Sequence, residues 1–215
     1  MHDFSFKRGK LYCENVSVAS LAKKHGSPLY VYSHATLTRN FGQLDTALSP
    51  VDHTIHFAVK ANSNLSVLAT LAKLGSGADT VSEGEIRRAL AAGVPSDRII
   101  FSGVGKTDVE MAFAISVGVR QINVESGAEL DRLIAVAAMM DASPAIAVRV
   151  NPNVGAGGHA KITTGGKGDK FGVPVEEAMD LYAHASASPH VTPVGLACHI
   201  GSQITDLTPL EAAFE

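Results

Sequence analysis

Lys60 stands in His56-Phe57-Ala58-Val59-Lys60-Ala61-Asn62-Ser63-Asn64, at the end of a short apolar run. A lysine closing a buried strand brings an amine to the mouth of a sheet. Burial there disfavours the ammonium and favours the neutral, nucleophilic amine. Such an amine can condense with a carbonyl cofactor, of which pyridoxal phosphate is one. The same spacing also suits a lysine whose head simply reaches solvent beyond a core strand. A second element is His199-Ile200-Gly201-Ser202-Gln203. A histidine at a strand end can lay its ring on a flat group, Gly201 allows close backbone approach, and the Ser202 hydroxyl can bond a phosphate. An ordinary glycine turn with a polar cap fits equally well.

Arg149 interrupts the apolar run Ala145-Ile146-Ala147-Val148-Arg149-Val150 and so needs an acceptor. A bound anion or phenolate would serve, and so would a carboxylate from a neighbouring strand. The glycine-rich stretch from Gly155 to Gly172 is long for a connector, which leaves a ligand-covering lid and a flexible surface loop both open. Gly103-Val104-Gly105-Lys106-Thr107 ends like a nucleotide-binding P-loop, but the first glycine of that pattern falls on Ile100. Nucleotide binding by this loop is therefore set aside, and Lys106 reads as a charge near a helix start.

The elements that must position these groups follow from patterning. Short β-rich runs near residues 55–59, 78–81, 99–102, 121–124, 145–150 and 194–199 alternate with helical segments, and the first four start about 22 residues apart. Nearly continuous apolar runs suit strands buried on both faces of a parallel sheet. Ser82-x-x-Glu85, Thr107-x-x-Glu110 and Ser126-x-x-Glu129 are candidate capping boxes, which would account for Glu110 and Glu129 without catalysis. The first strand is not followed by the glycine fingerprint of a Rossmann sheet, so the compact units predict a (β/α)8 barrel. Its C-terminal rim would gather Lys60, Asp79 to Glu83, Ser102 to Lys106, Glu125, Arg149 to Pro152 and His199 to Gln203. Six strands are counted where a closed barrel needs eight, so the chain reads as the front part of a longer protein. Before the sheet, residues 4–12 read as a strand, 18–25 as a helix, 29–32 as another strand and 33–48 as a helix.

Composition narrows the function classes. The 215 residues are 46% hydrophobic and 18% charged with a formal net charge of -3, as expected of a soluble globular protein. No basic run offers a footprint for nucleic acid, no stretch is long and apolar enough to cross a bilayer, and the N-terminus lacks a secretory core. Cys13 and Cys198 are too few for a disulfide framework, and the nine histidines show no zinc-helix pair. These features predict a cytoplasmic protein without a metal site.

Taken in order, Phe57-Ala58-Val59-Lys60-Ala61-Asn62, Gly77-Ala78-Asp79-Thr80-Val81-Ser82-Glu83-Gly84-Glu85, Asn123-Val124-Glu125-Ser126, Arg149-Val150-Asn151-Pro152, Lys170-Phe171-Gly172 and His199-Ile200-Gly201-Ser202-Gln203 resemble the diaminopimelate decarboxylases. These are fold-type III pyridoxal-phosphate enzymes with an alanine-racemase-like barrel. Thr80, where that family commonly has valine, is a departure that bears on packing. The resemblance implies pyridoxal 5′-phosphate as cofactor, Lys60 as the Schiff-base lysine, and His199 as the histidine stacked on the pyridine ring. It implies a phosphate contact at Gly201 and Ser202, and places Asp79 and Arg149 in the cofactor pocket. Catalytic roles thus fall on Lys60 and His199. It further implies that residues 33–215 belong to the barrel and 1–32 to a lead-in packing on a C-terminal β-domain. The implied reaction converts meso-2,6-diaminopimelate to L-lysine and carbon dioxide in a homodimer, with this piece inactive by itself. Decarboxylases of ornithine, arginine or carboxynorspermidine share the Lys and His motifs. A non-catalytic pyridoxal-phosphate barrel, or a barrel without cofactor, remains compatible with the shorter motifs.

Overall fold

A computed structural model describes residues 2–154, 171–202 and 204–215. The N-terminal part is a small antiparallel sheet of β1 (Phe4–Lys7), β2 (Lys10–Cys13) and β3 (Val16–Ser17). What patterning read as one strand over 4–12 is a hairpin, because Arg8 and Gly9 turn the chain at positive φ. Helix α1 (Val18–His25) starts at Ser17, whose hydroxyl accepts from the Ser20 amide, and stops at Gly26. Helix α2 (His34–Leu48) starts at Ser33 in the same manner. The hairpin is tied to its first turn by two carboxylates. Glu14 accepts from the Ser33 hydroxyl (2.8 Å) and the Ala35 amide (2.9 Å), and Asp3 accepts from Thr36 (2.7 Å) and Arg39 (2.8 Å). Acceptors at a helix N-terminus answer its unpaired amides. The strand expected over residues 29–32 is absent. Its β-prone side chains Leu29, Tyr30 and Tyr32 are exposed, and no strand among the described residues provides a ladder.

From residue 56 the chain repeats one unit. The order is β4 (His56–Ala58), α3 (Leu65–Lys73), β5 (Gly77–Thr80), α4 (Glu83–Ala91), β6 (Ile99–Phe101), α5 (Asp108–Val117), β7 (Gln121–Val124), α6 (Gly127–Met139) and β8 (Ala145–Asn151). Then come β9 (Val173–Pro174), α7 (Val175–Ala187), β10 (Thr192–Ala197) and α8 (Thr208–Phe214). Among the described residues the sheet runs β4-β5-β6-β7-β8-β10, every pair parallel, with the two-residue β9 beside β8. From β4 to β8 each strand lies next to its successor, with no reversal of order of the kind that opens a Rossmann crevice. This is the α/β barrel-type arrangement expected from the pattern, and the six expected strands each overlap an observed one.

The core lies between strands and helices. Ile99, Phe101, Ile122, Val124, Ile146 and Val148 from the sheet pack with Ile86, Met111, Leu130 and Leu133 from the helices, all without solvent exposure. One tight contact fixes the first pair of strands. Gly77 is in register with His56, and a Cβ on Gly77 would collide with that imidazole and with the Arg98 carbonyl. Of the three expected capping boxes, only Thr107–Glu110 is complete. Ser82 caps the Glu85 amide, but the Glu85 carboxylate reaches the Val81 amide instead. Ser126 caps the Glu129 amide, while the Glu129 carboxylate turns inward to Lys106. That last departure corrects the reading of both residues: Glu129 is not explained by capping, and Lys106 is no loose charge at a helix start.

Candidate active site

The C-terminal ends of the parallel strands surround a cavity of about 430 Å³, within the size range of small-ligand sites. Its lining includes Lys60, Ser102, Gly103, Glu125, Arg149, Phe171, His199 and Ser202, with Val81 and Val104 as apolar wall. Lys60 does not close β4 itself. The strand ends at Ala58, and residues Val59–Ala61 form a single 3-10 turn. Val59 is fully buried and anchors that turn, while Lys60 is exposed. The expectation that burial activates this amine is therefore corrected: the turn lifts Lys60 off the sheet and leaves it accessible at the rim. The two asparagines after it are structural. Asn62 accepts from the Asn64 amide, and Asn64 caps α3 through the Ser66 amide.

Arg149 has found its acceptor within the barrel. One guanidinium nitrogen lies 2.9 Å from Glu125, whose side chain is 1% exposed against 13% for the arginine. The other Glu125 oxygen accepts from the Gly103 amide at 2.7 Å, so both carboxylate oxygens are engaged. The guanidinium also lies 5.6 Å from the centre of the Phe171 ring. Gly172 (φ +77) lets the backbone pass under this group, since a Cβ there would meet the Arg149 carbonyl at 3.0 Å. Of the two acceptors left open for Arg149, the barrel carboxylate is present, and the arginine still faces the cavity.

His199 is half-buried and follows β10. Burial lowers its pKa below the ordinary imidazole value, and the nearby positive charges of Arg149 and Lys60 push the same way. Ser202 stands exposed at the mouth, and Gly201 before it adopts φ +152. Gly201 and Asp79 are not among the cavity's lining residues. Asp79 instead accepts from the Ser102 hydroxyl at 2.6 Å, and that hydroxyl accepts from Asn123 at 3.0 Å. Asn123 in turn accepts from Gln121 at 2.8 Å, which makes a polar ladder inside the sheet. Asp79 thus reaches the cavity through Ser102.

The loop Gly103-Val104-Gly105, set aside as a failed P-loop, forms part of the cavity wall. Its glycine pair directly after a rim strand was the readable signal. Phe171 was visible only as part of a motif, with nothing in its own spacing to mark a ring beside Arg149. Residues 155–170, which hold most of the glycine-rich stretch, and Gln203 lie outside the described residues. Among the described residues no cluster of His, Cys, Asp and Glu could hold a metal, and no helix is long and apolar enough to cross a membrane.

With this geometry in place, the comparisons with known proteins are direct. Residues 34–215 match the family model described as the pyridoxal binding domain of pyridoxal-dependent decarboxylases. The chain belongs to the pyridoxal-dependent decarboxylases. Diaminopimelate decarboxylase of Zymomonas mobilis is 46% identical over 218 residues, covering 100% of this chain and 52% of the relative. The crystal structure of diaminopimelate decarboxylase from Helicobacter pylori complexed with L-lysine superposes with a TM-score of 0.88 at 42% identity, over 91% of this chain and 50% of that one. The M. jannaschii enzyme in co-complex with L-lysine gives a TM-score of 0.89 at 37% identity, over 98% of this chain and 51% of that one. The chain therefore spans about half the length of the relatives it matches. As a pyridoxal-dependent decarboxylase domain, it carries its cavity at the strand ends where barrel enzymes keep their sites.

Proposed function

We propose that the protein carrying this chain decarboxylates meso-2,6-diaminopimelate to L-lysine and carbon dioxide, with pyridoxal 5′-phosphate held in the rim cavity. The observation that carries this reading is the meeting of an accessible amine (Lys60), an imidazole (His199), a hydroxyl (Ser202) and a guanidinium (Arg149) in one cavity. That donor set fits a flat, phosphorylated aldehyde. Lys60 would hold it covalently, His199 would pack against a ring face, and Ser202 with the Gly201 backbone would hold the phosphate. Asp79 and Arg149 complete the cofactor-binding set, Asp79 through the Ser102 hydroxyl. Bound there, the cofactor supplies an electron sink for the carbanion left by departing carbon dioxide.

The chain's own residues do the rest. A lowered pKa keeps His199 neutral at pH 7, so it offers a flat apolar surface without adding a third cation beside Arg149 and Lys60. Glu125 fixes the guanidinium of Arg149 in direction, which prepays its ordering. Val81, Val104 and Phe171 give the cavity an apolar wall that would limit water beside the reacting atoms. The identity of 46% to a diaminopimelate decarboxylase, and the L-lysine bound in two relatives, support this substrate over ornithine, arginine or carboxynorspermidine. We assign residues 33–215 to the barrel and 1–32 to a lead-in that packs on a second, β-type domain, in a cytoplasmic homodimer. The family match beginning at residue 34 supports that boundary.

The test uses the complete gene product. Borohydride reduction of the cofactor-loaded protein should fix one pyridoxyl group on the peptide containing Lys60. The same preparation should release carbon dioxide and L-lysine from meso-2,6-diaminopimelate. Label on another lysine, or faster turnover of ornithine or arginine, would reject the assignment.

A further inference from the structure

Lys106 is not part of the cavity lining, yet its ammonium is the most completely enclosed charge near it. The side chain has 0% exposure, and Glu129, its partner at 2.6 Å, has 8%. All three ammonium donors are used: on Glu129, on the Asn123 carbonyl at 2.7 Å, and on the Gly103 carbonyl at 2.5 Å. One nitrogen therefore ties helix α6, strand β7 and the rim loop together. A methionine would fill similar volume without the desolvation cost, so volume alone does not account for a buried ion pair. What a charged amine adds is direction, with three bonds converging from three elements.

The peptide at Gly103 is gripped from both sides. Its carbonyl accepts from Lys106, and its amide donates to Glu125 at 2.7 Å. Its φ of +98 and the 3.3 Å separation of a would-be Cβ from Val81 leave little freedom to shift. Glu125 passes the constraint on to Arg149 at 2.9 Å. The connected path is Glu129, Lys106, Gly103, Glu125, Arg149, and only its last three members line the cavity.

We propose that Lys106, together with Glu129, is a positioning residue that sets the direction of the Arg149 guanidinium by holding Gly103 against Glu125. This rests on the reading of the cavity as the cofactor site. In the complete gene product, Lys106→Met/Glu129→Leu removes the pair without leaving a lone buried charge. Circular dichroism of the cofactor-free variant should stay close to wild type, with its melting temperature lowered only by the two carbonyls that lose the Lys106 donor. Its dissociation constant for pyridoxal 5′-phosphate should rise at least about tenfold, because Arg149 is no longer preorganised for its ligand. The pH midpoint of the bound chromophore's absorbance should also move, which a purely structural role would not cause. A folded variant with wild-type affinity and an unmoved midpoint overturns the inference and leaves the functional reading standing. Failure of the wild type to take up the cofactor at Lys60 would reject that reading, and the inference with it. If the double variant does not fold, Glu129→Gln keeps shape and an acceptor. It should weaken binding several-fold, and unchanged binding would again overturn the inference.

Discussion

Lys60 and Lys106 each follow a strand of the same parallel sheet, and their surroundings are opposite. Lys60 sits on an exposed one-turn 3-10 segment and faces a cavity, while Lys106 is sealed among three acceptors from three elements. The residue type is the same; the local backbone decides what it can do. After β4 the buried Val59 is followed by a turn that points the next side chain away from the core. After β6 Gly103, at φ +98, lets the chain fold back so that Lys106 points into it. An accessible amine is available for covalent chemistry, whereas a saturated one is available only for geometry.

That contrast predicts crossed phenotypes. Lys60→Ala in the complete gene product should lower decarboxylase activity by about 10³-fold or more, as loss of a covalent group does. Because Lys60 is exposed, the unfolding free energy read from urea denaturation should change by less than about 0.5 kcal/mol. Lys106→Ala should weaken cofactor binding only indirectly and act mainly on stability. It strands the buried Glu129 carboxylate and should cost about 3–5 kcal/mol of stability, read from urea unfolding. Equal stability losses in the two variants would show that the environments differ less than the structure indicates.

Much of the sheet was legible because buried parallel strands are written as apolar runs. The run over residues 145–150 and the capped α5 were both readable on those terms. Residues 29–32 misled because β-prone side chains do not make a strand where no neighbour offers a ladder. In the site, Lys60, Arg149, His199 and Ser202 were legible as polar groups at strand ends, and the structure brings them to one cavity. The Lys106–Glu129 pair was not legible. Its members are 23 residues apart, and each has a satisfactory local explanation as a helix-start residue. Only the three-dimensional meeting of α6, β7 and the rim loop reveals the shared role.

The two ends of β4 sharpen the contrast further. Lys60 lies just beyond its C-terminal end, and His56 lies at its start, packed against Gly77. Burial lowers the His56 pKa below 6.5, so the folded state takes up its proton later than the unfolded chain does on acidification. The unfolded chain then binds more protons below pH 6.5, and stability falls as pH falls through that window. His56→Asn should flatten the stability profile between about pH 7 and 5, measured by urea unfolding at each pH. A profile as steep as wild type would assign the acid loss to other groups, His199 among them.

The smallest effect is expected next to the sealed lysine. Arg132 donates to the Lys106 carbonyl at 3.1 Å and pairs with Asp108, but the side chains of this pair are 49% and 62% exposed. Exposed pairs are screened and give back in side-chain entropy much of what they gain. Asp108→Ala should therefore change stability by less than about 1 kcal/mol, and the change should shrink further in 0.5 M salt. Lys106→Ala should keep most of its cost in the same salt, because ions do not reach a side chain with 0% exposure. If both losses vanish together at high salt, Lys106 is reachable by solvent and the buried clamp is not the reason for its effect.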